Sequence, residues 1–262
     1  MDNPAEVVLM DVRIHRLSLA GFFSTIIRAV ESGQGGVVSN VNVHAMNIAW
    51  EDPLFRTILN QSDLVFVDGM GVKWGGRLIG EDLGERITMA DWGWGLFDIC
   101  QQRGWPVFWL GDTDEVGEEF QRIITARYPD LVFAGRHHGY FAKDGEESDA
   151  VVQRINDSGA KILLVGMSMP IQEKWVWAHR DRLKGLVCLN VGGAARIVTG
   201  HIRRGPSWMT QNGLEWLYRL AMQPRYTWRR YLIGNPLFLI RLLSWRYFGL
   251  TPRPLRETLQ KT

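Results

Sequence analysis

Asp68 closes a short apolar run, Leu64-Val65-Phe66-Val67, and is followed by Gly69-Met70-Gly71. A carboxylate at the carboxyl end of a buried strand is well placed to take a proton from a bound hydroxyl, because open α/β sheets bind ligands beyond their strand ends. An Asp-Gly pair also serves plain turns, so this stretch alone supports either role. Asn40 and Asn42 follow a second apolar run, and with His44 they alternate along one face if that strand continues. The other reading makes them strand-end turn formers. Arg86 is suited to clamping an anion such as a diphosphate, or to an ordinary surface role. Gly192-Gly193, after the run 186–191, allows either close backbone approach to a phosphate or a tight turn.

Three further stretches invite comparison with known chemistry. Asp112-Thr113-Asp114 has the spacing of carboxylates that hold a divalent cation against a diphosphate, but the acids after it also suit the first turn of a helix. Gly166-Met167-Ser168-Met169-Pro170 resembles a serine nucleophile elbow, with Pro170 where a small residue is needed. Gly69-Met70-Gly71 fails the dinucleotide fingerprint because Trp74 occupies the third glycine position. His138 is either a ligand contact or a loop histidine held by backbone. Cys100 and Cys188 stand far apart among apolar neighbours, which suggests inert buried thiols rather than a disulfide or zinc site.

Positioning these residues takes alternating strands and helices. Apolar runs near 37–41, 64–67, 107–110, 131–134, 162–165 and 186–191 alternate with helical patterns, which predicts about six parallel strands. A loosely alternating segment at 7–14 predicts an opening strand or hairpin, and Pro53 interrupts a helix predicted over 47–60. The fold class expected is therefore α/β, a mostly parallel Rossmann-like sheet flanked by helices over residues 1–202. A basic, helical, aromatic-rich appendage follows over 203–262.

Charge divides the chain in the same place. The residues from His201 onward hold 11 Lys and Arg against 2 Asp and Glu, whereas those before hold 19 against 26. In the appendage Arg225, Arg229, Arg230, Arg241 and Arg246 interleave with Tyr226, Trp228, Tyr231 and Trp245. This pattern suits nucleic acid or the edge of an anionic bilayer. The apolar stretch around Arg241 favours an interfacial helix over a nucleic-acid arm, with a plain packing helix bearing a solvated basic face as the other reading; the 12 tryptophans suggest sugar-facing, interfacial or membrane-edge surfaces as well as core. No signal peptide is visible, and no apolar run reaches the roughly 18 residues of a spanning helix. The expectation is a peripheral protein on the cytoplasmic face of the inner membrane.

Taken together, the pieces resemble a family. Asn40-x-Asn42, Asp68-Gly69-x-Gly71, Arg86-Ile87 with Asp91, His138-Gly139-Tyr140-Phe141, Pro170-x-Gln172-Glu173-x-Trp175, Val191-Gly192-Gly193, Arg204-Gly205-Pro206-x-Trp208 and Gly213-Leu214-Glu215-Trp216-x-x-Arg219-Leu220 run in the order found in the WecG/TagA/CpsF glycosyltransferases. That resemblance implies an inverting, metal-independent transfer with no cofactor, from a UDP-sugar to a saccharide on an undecaprenyl diphosphate carrier. It implies Asp68 as catalytic base, Asn40 and Asn42 beside the donor, and Arg86 and Gln172 at binding positions. Gly192 and Gly193 would face phosphate, while Arg219, Arg225 and Arg229 would close the site over it. Partners would be the donor, the lipid-linked acceptor and the anionic membrane surface, with room for a homo-oligomer. Two departures stand out: the family usually has Thr where Asn40 stands, and an aromatic-Asp pair where this chain has Ala195-Arg196. Arg196 thereby reverses a charge near the nucleotide or sugar, pointing to a donor other than N-acetylmannosamine. A non-catalytic nucleotide-sugar binder and a Ser168 hydrolase are the competing classes.

Overall fold

In the computed structural model, residues 4–254 are described, Lys184 excepted. Strands β1 (Glu6–Leu9) and β2 (Val12–His15) form an antiparallel hairpin whose turn residues, Met10 and Asp11, both have positive φ. Helix α1 (Leu19–Glu31), strand β3 (Gly36–Val41), helices α2 (Val43–Glu51) and α3 (Pro53–Gln61), and strand β4 (Leu64–Val67) follow. Then come α4 (Met70–Leu78), α5 (Met89–Arg103), β5 (Val107–Gly111), α6 (Asp114–Arg127), β6 (Phe133–His137), α7 (Gly145–Asp157), β7 (Ile162–Gly166), α8 (Ile171–His179), β8 (Val187–Asn190) and α9 (Ala194–Val198). The final stretch holds α10 (Ser207–Gln211), α11 (Glu215–Met222), α12 (Pro224–Trp228), a π-helical turn (Arg229–Ile233) and α13 (Gly234–Phe248).

The six central strands pair in parallel in the order β4-β3-β8-β7-β5-β6, as the alternating pattern predicts. After β4 the chain crosses over to β5 on the far side of β3, so the strand order reverses between β3 and β8. Such a switch point leaves a crevice at the strand ends.

Alternation along the strands sorts the core. Phe66, Trp109 and Leu164 face α1, α5 and α6, where Phe22, Phe97 and Phe120 are fully buried. Val65 and Val67 face the other way, onto the hairpin, α2 and α3, and Leu163 and Val165 face α7 and α8. The predicted helix over 47–60 is two helices sharing Asp52, which ends α2 and caps α3 by accepting the Phe55 N–H at 3.1 Å. Pro53 occupies the first position of α3, where its missing N–H costs nothing. Strand β6 starts two residues later than the apolar run 131–134 suggests, because Leu131 closes a turn onto the Tyr128 carbonyl.

The last helix is seated on the body. Phe238 and Leu242 of α13 are buried in the same cluster as Val41, Met46 and Val72, and Phe238 lies against Gly75 of α4. A Cβ at Gly75 would come within 2.8 Å of that ring, so only glycine admits it. Trp245 donates its indole N–H to Asp11 at 3.0 Å, and Asn47 donates to the Gly234 carbonyl at 2.7 Å. Arg241 bonds Asn47 and pairs with Glu51.

Candidate active site

A cavity of about 540 Å³ opens at the carboxyl ends of β3, β4 and β8. Asp68 forms part of its wall. The N–H groups of Asp68 and Gly69 both donate to the Val41 carbonyl, at 2.9 and 3.4 Å, which extends the β3–β4 pairing past the strand and sets Asp68 beside Asn42. The glycines of Asp68-Gly69-x-Gly71 have a packing reason. A Cβ on Gly69 would meet Asn42 at 2.8 Å and one on Gly71 would meet Val43 at 2.6 Å, so α4 can start here only with bare backbone.

Asn42 and His44 are not on a continuing strand. β3 ends at Val41 and Asn42 is the N-cap of α2, its Oδ1 accepting the His44 and Ala45 N–H groups at 3.0 and 3.1 Å. The Asn42 side chain lies beside the Asp68 carboxylate and favours its ionised form. One asparagine thus fixes a helix start with its oxygen and borders the carboxylate as well. Burial raises the pKa of Asp68, and the negative charge of Glu215 raises it further; Arg219, Asn42 and Arg86 pull the other way. A carboxylate so placed is a stronger base than an ordinary aspartate.

Arg86 reaches the cavity from the loop before α5. That loop is tied to β4 by the Ile87 N–H, which donates to the Val67 carbonyl at 2.8 Å. Asp91 caps α5: its carboxylate accepts from both the N–H and the hydroxyl of Thr88, at 2.8 and 2.7 Å. Across the switch point Asn40 donates to the Asn190 carbonyl at 2.7 Å, and Gly192, in the left-handed region at φ 54°, turns the chain towards α9.

Residues far along the chain complete the wall. Arg204, Glu215, Trp216, Arg219, Arg230 and Tyr231 all face the cavity. Gly213, at φ 73°, brings this segment against Trp74, leaving no room for a Cβ. Glu215 lies 3.3 Å from Arg219 and 4.0 Å from Arg204. His44 faces the same space, its pKa lowered to about 4 by burial and by Arg230, so it is neutral at ordinary pH.

Of the residues singled out in the sequence, Asp68, Asn40, Asn42, Arg86, Gly192, Gly193 and Arg219 share this cavity. Gln172 lies behind the wall: it is fully buried, and its Oε1 accepts the Gly192 N–H. Arg196 points away, its guanidinium spanning both oxygens of Asp112 at 2.7 and 2.8 Å. The charge reversal noted at this position is therefore neutralised within the protein. Arg225 and Arg229 are exposed outside the cavity, and Arg230 takes the inward place. The adjacent position could not be told from sequence, because the π-helical turn shifts which side chains face in. Arg204 did carry a signal, in Arg204-Gly205-Pro206.

The competing motifs are otherwise engaged. Asp112 is held by Arg196 and Asp114 by Arg136, and His138 accepts the Tyr140 N–H. Ser168 borders the cavity at φ 69°, but among the described residues no hydrogen bond joins it to a histidine. Cys100 and Cys188 are buried, which pushes both thiols up to about 12.

A family model described as "Glycosyl transferase WecG/TagA/CpsF family" matches residues 7–251. Among the similar proteins, one from Staphylococcus aureus (strain MRSA252) is named N-acetylglucosaminyldiphosphoundecaprenol N-acetyl-beta-D-mannosaminyltransferase. It is 28% identical over 248 residues, covering 92% of this chain and 93% of the relative. Proteins of the same name from strains MW2 and NCTC 8325 / PS 47 match with the same identity and coverage.

Proposed function

The chain belongs to the WecG/TagA/CpsF family of glycosyl transferases, and from that premise we propose that it moves a sugar from a UDP-sugar to a saccharide carried on undecaprenyl diphosphate, with inversion and with Asp68 as general base. The observation that carries this reading is the placement of Asp68 in a cavity whose other charged walls are mostly arginine. Arg86, Arg204, Arg219 and Arg230 set against Asp68 and Glu215 leave a net charge of +2 facing the cavity. That suits a diphosphate.

In the proposed step an acceptor hydroxyl gives its proton to the Asp68 carboxylate as its oxygen attacks the anomeric carbon. The bond from that carbon to the diphosphate oxygen breaks, and UDP leaves with the electron pair. A general base of this kind contributes on the order of 10²–10⁴ in rate. Charge growing on the departing diphosphate meets Arg86, Arg219 and the Gly192 and Gly193 backbone, so no metal ion is called for. Asn40 and Asn42 would border the donor, and Gln172 would act at one remove by holding Gly192.

The lipid-linked acceptor of the relatives fits the outer surface of the appendage. Trp208, Tyr226, Leu232, Ile233, Ile240 and Phe248 are all exposed there, together with Arg225 and Arg229. No helix among the described residues is long and apolar enough to cross a membrane. We read this surface as lying in the interface of an anionic bilayer, with aromatic and apolar groups in the headgroup region and arginines on phosphate.

The test is incubation with a panel of UDP-sugars and synthetic lipid-diphosphate saccharides, following UDP release and product mass, with and without chelator. Turnover that survives chelation and yields an inverted linkage is expected. Failure of every pair, or loss of activity on chelation, would overturn the reading.

A further inference from the structure

The appendage carries an acid where its composition gives little reason for one. From His201 onward the chain has only two acidic residues, Glu215 and Glu257, among 11 basic ones. Glu215, the one within the described residues, is the first residue of α11 and faces the cavity. A glutamate at a helix start followed by arginine four residues on is ordinarily a solvated pair of small worth. Here it is neither solvated nor a simple pair. Its side chain is 21% exposed, and it meets Arg219 of its own helix at 3.3 Å and Arg204, from the segment before α10, at 4.0 Å. Both arginines border the cavity.

We propose that Glu215 is a positioning residue for the transfer reaction: its carboxylate anchors Arg204 and Arg219 on the cavity wall and keeps a second negative charge facing Asp68. The inference rests on the glycosyl-transfer reading above. Two carboxylates that share a cavity in different surroundings are driven apart in proton affinity. Glu215 has two guanidinium partners, Arg219 and Arg204. Asp68 has less compensation: burial and Glu215 work against its charge, and Arg219, Asn42 and Arg86 only partly offset them. The remaining charged groups on the wall are Arg204 and Arg230, and His44 is neutral above about pH 4. Glu215 thus makes Asp68 a better proton acceptor than the arginines alone would allow.

The experiment compares wild type, Glu215→Gln and Glu215→Asp, using the donor and acceptor that turn over fastest in the panel and UDP as the binding probe. Glu215→Gln removes the charge but keeps the shape. The acidic limb of its kcat/KM profile is expected to move to lower pH by about half a unit to one unit, and kcat at neutral pH should fall about tenfold. Its UDP affinity should fall by about threefold to tenfold, since Arg204 and Arg219 lose their anchor on the cavity wall. Glu215→Asp, which keeps the charge, should leave the limb in place. An unmoved limb in Glu215→Gln would overturn the proposal, whatever the change in UDP binding, and leave Glu215 a structural tie. Asp68→Asn separates the two readings. If it still transfers sugar, the base assignment itself has failed; if it does not, an unmoved limb counts against Glu215 alone.

Discussion

The side-chain oxygen of Gln172 accepts the backbone N–H of Gly192 at 3.0 Å, and its amide nitrogen donates to Glu173 at 2.8 Å. A buried side chain thereby sets the turn on which two cavity residues, Gly192 and Gly193, depend. Gln172→Ala leaves both partners short of a bond, a loss of roughly 1–3 kcal/mol. Calorimetry should show a lower melting temperature, and UDP titration weaker binding, although Gln172 does not border the cavity.

Glu173 gives a dependence of stability on pH. It is fully buried, burial raises its pKa from 4.5 to about 7, and its Oε2 has no partner among the described residues. Between those values the unfolded chain releases the proton and the folded one keeps it. Stability is therefore highest below about pH 4.5 as far as this group is concerned, and it declines as pH rises to about 7, by up to about 3 kcal/mol. Glu173→Gln keeps a partner for Gln172 and should flatten that slope in denaturant titrations run across pH 5–8.

Asp68→Asn should lower transfer by at least about a hundredfold while leaving UDP affinity within about twofold. Because the Asp68 pKa is raised, wild-type kcat/KM should fall as pH drops through a value above the ordinary aspartate range. Asp68→Asn should abolish that limb. Retained turnover in steady-state assays would remove Asp68 from the mechanism.

Arg229 and Arg230 are neighbours in sequence with separate fates. Arg229→Ala should reduce sedimentation with anionic vesicles about fivefold and leave UDP affinity alone. Arg230→Ala should weaken UDP binding and, by relieving His44 of a nearby positive charge, raise the His44 pKa from about 4. Imidazole NMR titration would show it.

Phe238→Ala should cost about 3–5 kcal/mol, the usual loss for a buried phenylalanine. Gly75→Val should act from the opposite side, wedging α13 away from α4. Both variants should lower the denaturant midpoint, and both should lose transfer activity through the displaced appendage.

The sheet was legible because its strands are short apolar runs separated by helical periodicity, and Asp68 because it ends one of them beside glycines. The charge step at residue 201 falls between α9 and α10, ahead of the last helices. What escaped were relationships that depend on direction. Asn42 reads equally as a strand residue or a cap until the two N–H groups it accepts are seen. Gln172 reads as a ligand contact because nothing in sequence says which side of Gly192 it lies on. Arg196 reads as a new charge near the substrate until Asp112, 84 residues away, is found holding it. The inward arginine of the pair at 229 and 230 depends on a π-helical turn that no composition signals.

The docking of α13 also has a consequence for synthesis. Asp68 and its strand leave the ribosome early, but Glu215 and Arg219 emerge roughly 150 residues later, an interval of roughly 8–30 s at ordinary elongation rates. Phe238, which seats the final helix on Gly75, comes later still. Only late in that interval, once β8 at Val187–Asn190 has emerged, does the nascent chain hold all six strands, and its cavity is still unfinished. A product cut short by stalled translation before that point would therefore lack the wall that Arg204, Glu215, Arg219 and Arg230 complete.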